Sequence, residues 1–153
     1  MNGNESKSPE AASVRRLTAD DAEEAAELSG QLGYSADAMV MRLRLEAMSD
    51  DPDRVALGAV LDGLLVGWID ASVERHLQSD DVVDIGGLVV RDGTRCLGIG
   101  RLLCEEIERW TREKGIGRVR VRSQIKREDA HRFYLRDGYE KVKTSLVFEK
   151  SVG

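Results

Sequence analysis

The run Val89-Val90-Arg91-Asp92-Gly93-Thr94-Arg95-Cys96-Leu97-Gly98-Ile99-Gly100-Arg101-Leu102-Leu103 decides how the rest of the chain is read. Apolar residues Leu88, Val89 and Val90 give way to a polar turn, then to a loop with glycines at 98 and 100, then to apolar residues at helical spacing. That order predicts strand, loop, helix. The first N–H groups of a helix lack intrahelical acceptors and lie at its positive dipole end, so such a loop suits an anion of phosphate size. A side chain at Gly98 or Gly100 would hold a diphosphate away from the backbone. The stretch from Arg95 to Arg101 is therefore a candidate pyrophosphate cradle, the plainer alternative being a glycine-containing turn. No Gly-Lys-Ser/Thr ends it, which excludes a nucleotide P-loop, and Leu103 stands where a dinucleotide fingerprint needs its third glycine.

Working outward, the chain has 153 residues, enough for one core without disulfide or metal staples. Residues 1–11 are polar and aperiodic and read as a disordered lead-in; residues 12–153 read as a single domain. A net charge of −5 gives no support for binding nucleic acid or an anionic membrane, and favours cationic small molecules. The apolar runs fall far short of the roughly 20 residues of a membrane span, and the N-terminus lacks a signal peptide's blocks, so a cytoplasmic location is expected. Cys96 and Cys104 are the two cysteines, one in the loop and one in the following helix. They are expected to be reduced, with Cys104 in the core.

Ser13–Leu17 alternates as a first strand, and Thr18 with Asp20 and Asp21 caps a helix running to about Leu28. Gly33 breaks the pattern before a second helix capped near Asp37 with Met39, Leu43 and Ala47 on one face. Leu32 and Tyr34, between the two, serve either interhelix packing or one wall of a substrate site. Asp62-Gly63 between apolar runs is the clearest hairpin, and Glu74 to Asp81, with His76, reads as a polar loop over a site. Asp84 is an acid in an apolar strand, and Gly86-Gly87 after it signals a bulge or a close backbone approach. A helix to about Lys114, a strand near 116–122, a short helix from about Lys126 and one or two closing strands after Tyr139 complete the chain. The expectation is an α/β fold: one mixed, mostly antiparallel sheet of six or seven strands with about four helices.

Arg95-Cys96-Leu97-Gly98-Ile99-Gly100 resembles the Arg/Gln-x-x-Gly-x-Gly/Ala signature of the GNAT superfamily of N-acetyltransferases. A second stretch, Ala130-His131-Arg132-Phe133-Tyr134-Leu135-Arg136-Asp137-Gly138-Tyr139, resembles that superfamily's Ala-x-x-Phe/Leu-Tyr-x-x-x-Gly-Phe/Tyr block. The resemblance covers roughly residues 13–150. It implies a V-shaped splay between the fourth and fifth strands and acetyl-CoA as co-substrate. The pyrophosphate would lie on the amides of Cys96 to Arg101 and the pantetheine along Leu88, Val89 and Val90. Arg127 stands where the family often has an asparagine; a guanidinium there suits a phosphate or a pantetheine carbonyl.

Direct transfer needs a proton acceptor for the amine and a donor for the thiolate. Asp84 lies at the distance ahead of Arg95 where several family members place an acidic base, and the alternatives are an acid that orients the amine or a water, or one that pairs with an arginine. Tyr134 is the family's usual donor to the leaving thiolate, a phenol being protonated at neutral pH. His131 and His76 read as surface or packing histidines, and His76, with Leu32, Tyr34 and Asp84, falls in the stretches expected to face the acceptor. No metal set is spaced along the chain. The expected function is acetyl transfer to a small, cationic amine, in the manner of small bacterial acetyltransferases. A protein N-terminal or lysine acetyltransferase and a silent CoA-binding module are the alternatives. The resemblance also admits a homodimer, for which the sequence carries no interface signature.

Overall fold

The Asp62-Gly63 turn behaves as its dipeptide requires: φ is 52° at Asp62 and 79° at Gly63, the positive pair of a two-residue hairpin. It joins β2 (Arg54–Leu61) to β3 (Leu64–His76). β3 then turns through Leu77 and Gln78 into β4 (Ser79–Val90). The expected loop from Glu74 to Asp81 is thus mostly strand. Glu74 pairs with Val82 and His76 with Ser79, since an antiparallel hairpin tolerates polar side chains where its end faces water.

The computed structural model describes residues 12–31, 33, 37–94 and 97–153. The lead-in at 1–11 and the site assignments at Leu32, Tyr34, Arg95 and Cys96 lie outside the described residues. The described chain divides into two compact units, one ending at Val121 and one comprising Arg122–Gly153.

In the first unit β1 (Ser13–Arg16) pairs antiparallel with β2, and β5 (Val119–Val121) pairs parallel with β4, giving the order β1-β2-β3-β4-β5. With α1 (Ala22–Gly30), α2 (Ala38–Ser49) and α3 (Ile99–Glu113), this is the expected mixed, mostly antiparallel α/β architecture. The sheet has five strands rather than six or seven. The difference falls after Tyr139, where alternation supplies a strand's side-chain pattern but residues 139–153 belong to no strand.

The two faces of the sheet are covered differently. On one, α3 buries Ile99, Leu103, Cys104, Ile107 and Trp110. It comes so close at Gly67 that a Cβ there would lie 2.9 Å from the Val89 carbonyl and 3.1 Å from Ile99. On the other, α1 packs Ala25 and Leu28 against Leu65 and Val89, and the Trp68 indole Nε1–H donates to the Ala25 carbonyl at 3.1 Å. Asp37 caps α2 by accepting from the Met39 N–H at 2.7 Å. Met39, Leu43 and Ala47 do share a face of α2, but it is the exposed one; Leu45 and Met48 are buried with Ala22 and Ala56, and Met41 packs beside them. Two apolar stripes compete on this helix, and the small side chains beneath select the second.

The second unit contains α4 (Glu128–Arg136), whose C-terminal turn leads to Gly138. The Tyr139 N–H donates back to the Tyr134 carbonyl at 2.9 Å.

Candidate active site

Beginning at the cradle, Thr94 closes a turn on Arg91: its N–H and its hydroxyl both donate to the Arg91 carbonyl, at 3.1 and 2.7 Å. Arg91 is tied down in turn, with Nε donating to the Leu65 carbonyl at 3.0 Å and a guanidinium N–H reaching Glu27 of α1 at 3.2 Å. Gly98 then caps α3 with φ at 75°, a left-handed conformation that residues with a Cβ adopt at a cost. No side chain caps this end, and the first helical bond runs from Leu102 N–H to the Gly98 carbonyl at 3.0 Å. The N–H groups of Gly98, Ile99 and Gly100 stand in the first turn of the helix, ahead of its first intrahelical bond. A Cβ on Gly98 would meet nothing within 4 Å, so the cradle is open where an anion would sit. Leu97, Gly98, Ile99, Gly100 and Arg101 form the described part of the candidate cradle.

The strand feeding the cradle is paired unequally. β4 bonds to β5 only over Val83–Ile85, against Val119–Val121. From Gly86 to Val90 its ladder is with β3 alone among the described residues. This is the expected splay, and it leaves alternate backbone groups of Leu88, Val89 and Val90 turned toward the gap. An extended chain carrying amide groups could add there as a strand does.

The register of β3 against β4 shifts at Asp70–Ala71, which face Gly87 and Ile85, so Gly86 is the extra residue of a bulge. Around it a polar row crosses the sheet on the face that carries Trp68: Asp70, Ser72 and Glu74 on β3, Asp84 opposite Ser72, and Arg120 opposite Asp84 on β5. Asp84 receives two hydrogen bonds from Arg120, Nε at 2.8 Å and NH2 at 3.3 Å. The carboxylate holds the Arg120 guanidinium more firmly protonated than usual. Of the roles open to Asp84, pairing with an arginine is the one seen. Ser72 Oγ lies 3.1 Å from a Glu74 oxygen, and His76 Nε2 is 4.0 Å from the other Glu74 oxygen.

Asp70 belongs to this row and sequence reasoning passed over it. Burial pushes its carboxyl above the ordinary range, against the lowering effect of the Arg54 charge and of the Gly87 N–H that donates to it. The signal was present as an acid amid Trp68, Ile69 and Ala71 in a strand that otherwise reads as core. Arg120 was equally legible only as one of several alternating arginines.

In the second unit, Tyr134 is half-buried between two rings, edge-on to Phe133 at 5.2 Å and to Tyr139 at 5.6 Å. His131 Nε2 is 2.8 Å from the Gln124 carbonyl. Arg127 occupies the N-cap of α4 without a side-chain cap bond. A hollow lined by Arg16, Asp50, Arg54, Trp110 and Lys114 contains none of the residues singled out from the sequence. No helix among the described residues is long and apolar enough to cross a membrane, and no group of three or more metal-ligating side chains occurs among them.

Comparison with known proteins agrees with this geometry. An aminoalkylphosphonate N-acetyltransferase of Salmonella typhimurium is 37% identical over 83 residues, 54% of this chain and 54% of that protein. The match thus spans about half the length of that relative. An aminoglycoside N(6')-acetyltransferase type 1 of Stenotrophomonas maltophilia is 27% identical over 143 residues, 90% of this chain and 92% of that one. Among solved structures, AAC(6')-Iy in complex with the bisubstrate analogue CoA-S-monomethyl-acetylneamine superposes with a TM-score of 0.82 at 19% identity, covering 92% of this chain and 99% of that one. Residues 17–139 match the acetyltransferase (GNAT) family as a whole, and the chain therefore belongs to that family, whose co-substrate is acetyl-CoA.

Proposed function

We propose that the protein is an acetyl-CoA-dependent N-acetyltransferase that moves an acetyl group directly to the amine of a small, cationic acceptor. The observation that carries this reading is the junction at Val90: a half-strand that pairs on one side only among the described residues leads toward a helix opened by Gly98, which has no side-chain cap among them. The diphosphate of acetyl-CoA suits the start of α3, from Gly98 to Arg101, and its pantetheine amides suit the gap side of Leu88 to Val90. Arg95, Cys96 and Arg127 complete the cofactor set in this reading.

The acceptor follows from charge. Asp70, Glu74 and Asp84 share one face of β3 and β4, with Arg120 answering Asp84. A protonated alkyl amine, whose pKa is near that of lysine at about 10.4, is the ligand such a row would draw from water. The stretches expected to face the acceptor add Leu32, Tyr34 and His76, and the family resemblance assigns Tyr134 to the departing thiolate. Relatives that act on aminoglycosides and on aminoalkylphosphonates are compatible with a small amine.

Titration calorimetry with acetyl-CoA tests the reading. Wild type is expected to bind in the micromolar range and Gly98→Glu to lose at least 100-fold, through strain and through a carboxylate at an anion site. Absence of binding by wild type would return the cradle to being a turn.

A further inference from the structure

We propose that Asp70, rather than Asp84, receives the proton of the acceptor's ammonium group; this rests on the N-acetyltransferase reading above. The two carboxylates lie on one face of the sheet, two residues apart along the β3 register and so about 7 Å apart along the strand. Asp84 is committed to Arg120 by two hydrogen bonds, and its side chain is 13% exposed. A carboxylate shared with a guanidinium is a weak base, because protonating it breaks a charge-assisted pair.

Asp70 is placed differently. A Cβ built on Gly86 would come within 2.7 Å of its Oδ2, and one on Gly87 within 3.3 Å of its Oδ1. The carboxylate therefore fills the space that side chains at 86 and 87 would otherwise occupy. Gly86 is exposed and Asp70 is half-buried rather than buried, so water reaches the bulge and the residue beside it. Asp70 also faces Gly87 in register, at the start of the half of β4, Gly86 to Val90, that pairs with β3 alone among the described residues. A group at the start of that half lies where the acyl end of an extended pantetheine would reach.

The charged groups around it agree. From β2 the Arg54 charge acts on Asp70, while its direct partner there, Ala56, is apolar. From β4 the nearest acid is Asp84, already answered by Arg120 of β5. On β3 itself Glu74 is engaged by Ser72. On α1, Glu24 accepts from the Leu65 N–H and Glu27 from Arg91, and α2 presents Leu45 and Met48 toward Ala56. Burial favours the protonated carboxyl, which makes Asp70 a stronger base than an exposed aspartate.

The step balances as follows. R–NH3+ gives one proton to the Asp70 carboxylate; the nitrogen lone pair attacks the thioester carbon, the C–N bond forms and the C–S bond breaks. A second proton leaves nitrogen as the amide forms, matching the one the thiolate takes up. Asp70 then returns its proton to solvent.

The test is the pH profile of kcat/KM with acetyl-CoA and the best acceptor among neamine, spermidine and 2-aminoethylphosphonate. Asp70→Asn, nearly isosteric and still able to accept from Gly87 N–H, should lose about 100-fold or more. It should also lose the acid limb of the profile while binding acetyl-CoA as wild type does. Gly86→Ala keeps the carboxylate but displaces it, and should lower kcat at unchanged affinity for acetyl-CoA. Asp84→Asn should raise KM with the acid limb retained. An Asp70→Asn enzyme within threefold of wild type, or one with the wild-type acid limb, overturns the assignment while leaving the acetyltransferase reading intact. A wild type that binds acetyl-CoA but acetylates none of the three amines overturns the assignment together with that reading.

Discussion

The two faces of the sheet are built by opposite rules. The α3 face is dry: Ile99, Leu103, Cys104 and Ile107 are each at most 1% exposed, and Gly67 brings helix and strand within contact distance. The α1 and α2 face is apolar only over part of its area. Beyond Trp68 it becomes polar, with the carboxylates of Asp70, Glu74 and Asp84 and the hydroxyl of Ser72. One face holds the molecule together and the other is held ready. Because β3 and β4 contribute to both, the same backbone serves each purpose at alternate residues.

Four substitutions test that contrast. The largest effect is expected on the dry face, where Leu103→Ala should cost about 2–5 kcal/mol by urea unfolding, with the pH dependence of stability unchanged. A loss below 1 kcal/mol would mean that the α3 face is less tightly packed than described. Gly67→Ala comes next. Its methyl would press on the Val89 carbonyl and Ile99, and about 1–3 kcal/mol should be lost.

In the turn after β1, Asp21 accepts two bonds from Arg15, at 2.8 and 2.9 Å, and one from the Thr18 N–H at 2.8 Å. The Arg15 hydrogen bonds hold its carboxyl below the ordinary aspartate range. That stability is present above the ordinary pKa of about 3.9 and is lost as pH falls through the depressed value. Asp21→Asn should remove about 1 kcal/mol at pH 7 and flatten the acid limb of the melting temperature against pH.

The smallest effect has the opposite sign. Asp70 is raised, so its contribution is greatest below the ordinary pKa and declines as pH rises through the folded value. Asp70→Asn should therefore melt higher than wild type at pH 8, and the gain should shrink toward pH 4. An unchanged difference across that interval would remove the argument that Asp70 is desolvated.

How much of this was legible beforehand depends on range. The Asp62-Gly63 hairpin, the Gly86-Gly87 bulge and the Gly98 helix start are local, because each is dictated by which φ or which close approach its residues permit. The end of the β3–β4 hairpin is not local in this sense, since polar residues at 74–81 look like a loop until their cross-strand partners are known. Nor is the stripe of α2, because two stripes exist and only the sheet beneath chooses. In the site, the cradle could be read from glycine spacing. The division of labour between Asp70 and Asp84 could not, since it depends on Arg120, which lies beyond α3 in sequence and becomes a neighbour through the β4–β5 pairing.

The bulge at Gly86 also sets what insertions this chain can absorb. The turn at Leu77 and Gln78 lies beyond the last strand pair, so added residues there only lengthen a protruding tip. An insertion of one residue between Asp70 and Glu74, or between Val82 and Gly86, would swap inside for outside along the rest of that strand. Insertions by twos preserve the assignment of faces; odd ones turn carboxylates toward α3. The parity of the chain length between these points is therefore as much a determinant of the polar row as the residues that compose it.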